Sequence, residues 1–66
     1  MKINYDKAAD AMYFSIKEGK VSKTLQINDH LNMDVDRDGE TLGIEILDAS
    51  SKQGAELEKN IRMAIA

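Results

Sequence analysis

The stretch LNMDVDRDGETLGIEIL, residues 31–47, supports two readings at once. Taken with a period of two, Leu31, Met33 and Val35 fall on one side and Asn32, Asp34 and Asp36 on the other. After Asp38-Gly39, the residues Leu42, Ile44 and Ile46 return on the apolar side. Such alternation marks half-buried strands. Asp-Gly is a strong hairpin signal because both central residues of a type I′ turn take φ > 0. A two-residue loop there pairs Val35 with Leu42, Met33 with Ile44 and Leu31 with Ile46, so every apolar residue meets another on the same face.

The same letters spell a calcium loop. From Asp34 to Glu45 the spacing is D-x-[DN]-x-[DN]-G-x5-E, with Asp34, Asp36 and Asp38 at alternate positions, then Gly39 and the closing Glu45. An EF-hand, however, leaves one helix and enters another while its oxygens converge on the ion. Here the flanks alternate as strands, and Thr41 stands where an apolar residue is usual. In extended chain Asp38 lies about 13 Å from Asp34, at roughly 3.3 Å per residue. Hairpin and cage therefore exclude each other. The hairpin is the reading adopted, with no metal and no cofactor assigned; a small-ligand or cation (calcium) site on the Asp-rich hairpin 34–45 is the alternative.

Working outward, Lys2 to Tyr5 reads as a first strand. Ala11 to Lys17 follows, with Met12, Phe14 and Ile16 facing one way and Tyr13 and Ser15 the other. Glu18-Gly19 is a turn signal, and Lys20 to Asn28 places Val21, Leu25 and Ile27 on a common face. As a hairpin this turn pairs Ile16 with Val21 and Met12 with Leu25. It also sets Phe14 opposite Lys23, whose methylenes can lie along the ring. Beyond Leu47 the period changes. Ser50 and Gln53 fit a capping box, and Leu57, Ile61, Ala64 and Ile65 form a helical stripe. Glu58 and Arg62 stand in the favoured i, i+4 order, while Gly54 weakens the first turn by about 1 kcal/mol relative to Ala.

The expected architecture is α+β: a five-stranded antiparallel β-meander with one C-terminal helix, about residues 53–64, packed on one face of a single domain, 1–66. Such a helix is roughly 18 Å long, just enough to cross five strands spanning roughly 19 Å.

Composition narrows the function classes. The chain has 66 residues, 42% of them apolar, and no cysteine or proline. It can build one modest core without disulfide or thiolate-metal support, a size at which a homodimer is a common remedy. Its net charge is −3 and its lysines are scattered, so nucleic-acid binding by this chain alone is not expected, because phosphate neutralisation needs a basic patch. Its apolar runs are far shorter than the roughly 20 residues of a membrane span, and MKINYDKAAD lacks the apolar core of a secretion signal. A cytoplasmic location without membrane association is the expectation.

Several residues invite chemistry. His30, the one histidine, has only Asp29 beside it and reads as a loop residue. Ser50-Ser51 offers hydroxyls but no base at an arguable spacing, and the glycines at 19, 39, 43 and 54 are too dispersed for a phosphate loop. No catalytic residue is assigned and the chain is read as a non-enzyme. In YDKAADAMY, Asp6 and Asp10 bracket a short loop and can bond nearby amides. Tyr5 and Tyr13 can form a cross-strand pair or anchor an interface on the face away from the helix. The outward acidic set Asp34, Asp36, Asp38, Glu40, Glu45 and Asp48 can dock a basic partner or simply keep the sheet soluble.

With these blocks assembled, the chain resembles a bacterial family, the domain-of-unknown-function family 2283. Its pattern opens Tyr-Asp-x-x-Ala-Asp-x-x-Tyr, matched by Tyr5, Asp6, Ala9, Asp10 and Tyr13. It closes Gly-Ile-Glu-Ile-Leu-x-Ala-Ser, matched by Gly43, Ile44, Glu45, Ile46, Leu47, Ala49 and Ser50. The resemblance spans about residues 3 to 51 and supplies no activity or catalytic residues. It implies a hairpin for the acidic segment; Asp6, Asp10, Gly39 and Gly43 are read as structural positions. It also implies a partnership with another small protein, such as one encoded by an adjacent gene, in the manner of an antitoxin. Calcium titration followed by amide NMR separates hairpin from cage: the Gly39 and Glu45 signals stay in place at millimolar calcium if the hairpin reading holds.

Overall fold

The computed structural model describes residues 1–65. Its elements are β1 (Lys2–Asp6), β2 (Ala11–Ser15), β3 (Lys23–Asn28), β4 (Leu31–Val35), β5 (Thr41–Leu47) and α1 (Lys52–Ile65). The five strands form one antiparallel sheet and α1 packs against it, which is the α+β class expected from the alternation and the terminal stripe. The departure lies in the strand order, β1-β2-β5-β4-β3.

β2 does not turn back on β3. It pairs with β1 on one side and β5 on the other, setting Met12 opposite Ile46 and Phe14 opposite Ile44. The expected pairs of Ile16 with Val21, Met12 with Leu25 and Phe14 with Lys23 are thereby replaced. Physically, β5 is the more apolar partner, and the end of β2 is fastened to it: the amides of Ile16 and Lys17 both donate to the Leu42 carbonyl, at 2.8 and 3.1 Å. Residues 16–22 then cross the hairpin end of the sheet, held by a Lys17–Glu40 ion pair and by the Ser22 amide on the Val35 carbonyl, 2.8 Å. Three hairpin-linked strands with a fourth returning beside the first make a Greek-key arrangement. Val21 consequently sits in the crossing loop and Ile27 at a register shift, so neither continues a common face with Leu25.

The β4–β5 hairpin keeps Met33 opposite Ile44 and Leu31 opposite Ile46, but Val35 faces Thr41 rather than Leu42. The turn is longer than two residues: Asp36 donates to the Glu40 carbonyl, Gly39 to the Asp36 carbonyl, and Gly39 sits at φ 82°. The extra residue is absorbed by a bulge at Leu42, which restores the inner register. Asp36 Oδ1 also accepts from the amides of Asp38 and Glu40, at 2.9 and 3.0 Å, so it braces the loop from within.

The core comprises Phe14, Ile46 and Ala49, ringed by Ile3, Met12, Leu31, Ile44, Leu57 and Ile61. Phe14 and Ile46 are fully buried. The Arg62 guanidinium lies 5.9 Å from the Phe14 ring centroid and pairs with Glu58 at 2.9 Å, which roofs the ring. Ala64 and Ile65 remain exposed, so only the first part of the expected stripe packs.

Two details of α1 correct the sequence reading. The N-cap is Ser51, whose Oγ accepts from the Gly54 amide at 3.0 Å, rather than Ser50 in a box with Gln53. Gly54 is buried, and a Cβ there would collide with the Asp48 and Ala49 carbonyls. The glycine thus permits the helix to dock closely on the chain that precedes it. Gly54→Ala should destabilise the protein by about 1–3 kcal/mol through overpacking, despite the roughly 1 kcal/mol that helix propensity would add. Urea unfolding measures this; a stabilised variant would contradict the close approach.

Candidate functional site

Two groups of polar side chains lie outside the core, one at the turn end of β1–β2 and one on the sheet face opposite the helix. At the first, Asp6 Oδ1 accepts from the Ala8 and Ala9 amides, 3.0 and 3.2 Å, closing the turn. The chain then passes through Asp10 at φ 50°, a left-handed conformation that Asp tolerates better than most residues. Asp10 is a junction. Its carboxylate accepts from the Tyr5 hydroxyl (2.7 Å), the Ser50 hydroxyl (2.8 Å) and the Ser50 amide (3.1 Å), and its carbonyl accepts from the Ala49 amide (2.9 Å).

These donors, the Tyr5 hydroxyl first and Ser50 next, hold the Asp10 carboxyl below its ordinary pKa. The same bond raises the Tyr5 phenol. A carboxylate stabilised this way is a weak proton acceptor near neutral pH. Ser50, whose hydroxyl already donates a hydrogen bond to Asp10, is a fastening between β1–β2 and the β5–α1 connection. His30 is nearby, with Nδ1 3.4 Å from the Leu47 carbonyl and 3.7 Å from Asp48 Oδ2.

Tyr5 and Tyr13 do not pair. Tyr5 faces Met12 on the helix side and Tyr13 faces Asn4 on the other, because they lie on adjacent strands at positions of opposite orientation. Only Tyr13 belongs to the open face. There the register lines up Asn4, Tyr13, Glu45, Asn32 and Gln26 directly across all five strands. Asn32 Nδ2 lies 3.4 Å from Glu45 Oε1. The Tyr13 ring crosses Gly43, where any Cβ would strike the phenol, and its hydroxyl donates to Asp34 Oδ2 at 2.8 Å. Thr24 donates to Asp34 Oδ1 at 2.6 Å. Gly43 is therefore a seat for an aromatic ring.

Of the acidic set, Asp34 and Glu45 join Tyr13 on this face, whereas Asp36, Asp38 and Glu40 belong to the hairpin tip and its bracing. Both Asp34 oxygens are engaged by hydroxyls and Asp36 Oδ1 by amides. The calcium-like letters are used as turn and cross-strand chemistry. Thr24, Asn4, Asn32 and Gln26 were not singled out in the sequence; the signal was there in the polar members of each alternating strand. Beside Tyr13 the crossing loop walls a depression of about 730 Å³, lined by Tyr13, Ser15, Val21, Leu42 and Lys2.

Burial, then the bond to Asp34, pushes the Tyr13 phenol up to about 12 from its ordinary 10.0. Since the folded value is the higher, the unfolded chain releases this proton first. The contribution to stability is complete below about pH 10 and is lost as pH rises through about 12. In Tyr5→Phe, where Tyr13 is the remaining tyrosine, alkaline absorbance titration should show a midpoint near 12; an ordinary midpoint would place the phenol in solvent.

Among the described residues, no helix is long and apolar enough to cross a membrane, and no group of three or more His, Cys, Asp or Glu side chains is gathered for a metal ion. No curated protein and no solved structure matches the chain. Residues 2–50 match the family described as "Protein of unknown function (DUF2283)". That span holds both the Asp10–Ser50 junction and the Tyr13–Gly43 seat, and the chain belongs to this family.

Proposed function

We propose that this protein is a non-catalytic interaction module that docks a protein partner on the open face of its sheet. The observation that carries the reading is the in-register row Asn4-Tyr13-Glu45-Asn32-Gln26, which the helix leaves uncovered. A twisted but continuous polar face suits a macromolecular partner better than a small substrate, which needs an enclosing pocket. Tyr13, held by Asp34 and resting on Gly43, loses little freedom on binding, the property of an interface anchor. The depression beside it offers a seat for a partner side chain.

The charge of the face defines the partner. Glu45 and Asp34 make it acidic, and a basic surface is the complement. An antitoxin-like role, in which this face covers a basic small protein encoded by an adjacent gene, fits that chemistry, and a cytoplasmic setting goes with it. The Asp10–Ser50 junction serves the module as scaffold, because its groups are already bonded to one another.

Co-expression with the adjacent gene product, followed by calorimetric titration, tests the reading. Glu45→Lys should weaken binding about tenfold or more and invert its salt dependence, consistent with like charges facing across the interface. A complex whose affinity ignores Glu45→Lys would move the docking site elsewhere.

A further inference from the structure

An aromatic ring set beside a carboxylate occurs on both sides of this sheet, but only one of the two pairs holds a cation. On the helix side, the Arg62 guanidinium lies 5.9 Å from the Phe14 ring centroid and pairs with Glu58 at 2.9 Å. On the open side, Tyr13 and Glu45 stand directly opposite each other on β2 and β5, where side chains of one face approach within about 5 Å at Cβ. No cation of the chain joins them: among the described residues Glu45 enters no ion pair.

Tyr13 is held by Gly43 beneath its ring and by the bond to Asp34, yet it borders the open depression and is reached from solvent. Asp34 is fully engaged, with a hydroxyl on each oxygen. Glu45 has only the Asn32 amide, 3.4 Å from Oε1, and its other oxygen accepts nothing among the described residues. A partner that covers this row takes water from Glu45, and a carboxylate buried without a cation is strongly disfavoured. The partner must therefore bring a positive charge to this position, and the ring beside it selects the shape of that charge. A guanidinium is planar, forks to a carboxylate and stacks on an aromatic face, whereas an ammonium is a compact, strongly hydrated point charge. Lys2, opposite Ser15 on β1, lies two strands from Glu45, roughly 10 Å away and about one Debye length. Lys17 is already paired with Glu40.

We infer that, given the docking role proposed above, an arginine of the partner anchors the complex, its guanidinium stacked on the Tyr13 ring and forked to Glu45.

N-acetyl-arginine amide and N-acetyl-lysine amide carry the same charge, and titrating each into the folded chain under amide NMR tests this. The arginine derivative should bind about threefold or more tighter, the scale of a cation–π contact at an exposed site. It should shift the Gly43 and Glu45 amides, and its δ-methylene protons should show NOEs to the Tyr13 ring. Glu45→Gln should weaken both derivatives. Tyr13→Leu should remove the preference between them, and Tyr13→Phe, which keeps the ring, should retain it. Equal binding of the two derivatives, no binding at millimolar concentrations, or a preference that survives Tyr13→Leu overturns the inference. If Tyr13→Leu does not fold, the wild-type NOEs decide, and their absence overturns it. An adjacent gene product that binds through Glu45 while the derivatives show no arginine preference leaves the docking role standing and this inference fallen; a chain that binds no partner removes the docking role itself.

Discussion

The pairing of β2 with β5 is the constraint on which the rest of the molecule depends. These strands are remote in sequence, and their contact brings Met12 and Phe14 onto Ile46 and Ile44, the centre of the core. It is fastened at both ends. At one, the Leu42 carbonyl takes two amides from the end of β2; at the other, Asp10 takes the Ala49 and Ser50 amides. Once this pair forms, β1 can only add outside β2, while β4 and β3 extend from β5. Non-local pairing of this kind closes a long loop before it gains contacts, which slows folding relative to a run of hairpins.

The two faces of the sheet then acquire different physics. On one, the helix and Arg62 seal Phe14, and Gly54 brings the helix close enough to do so. On the other, a glycine provides room for a tyrosine, and the tyrosine reaches a carboxylate two strands away. Removing a side chain at position 43 lets an aromatic ring cover a central strand without a second layer. That is an economical way for a 66-residue chain to leave one face open.

Acidity is largely consumed inside the molecule. Asp6 and Asp36 brace turns, Asp10 joins two connections, Asp34 binds two hydroxyls, and Glu40 and Glu58 meet cations. The net charge of −3 is therefore a poor guide to which surface meets a partner. Position in the register is the better guide, because it distinguishes Glu45 on the open face from carboxylates that hold loops.

The sequence by itself determined the strands, the hairpin of β4 with β5 and the terminal helix, because alternation, an Asp-Gly turn and a 3.6-residue stripe are local signals, and the family through its resemblance in the blocks Tyr5–Tyr13 and Gly43–Ser50. It also contained the two blocks around Asp10 and Ser50, though not the bond between them. Only the tertiary structure decided the strand order, the longer turn at Gly39, the cap at Ser51 and the separation of Tyr5 from Tyr13. Each of these is a choice between locally equivalent options. Glu18-Gly19 can close a hairpin as well as open a crossing, and either serine can cap a helix. What selects among them is a competition for non-local partners: β5 offers β2 a more apolar neighbour than β3 does, and Asp10 claims Ser50 before the helix can.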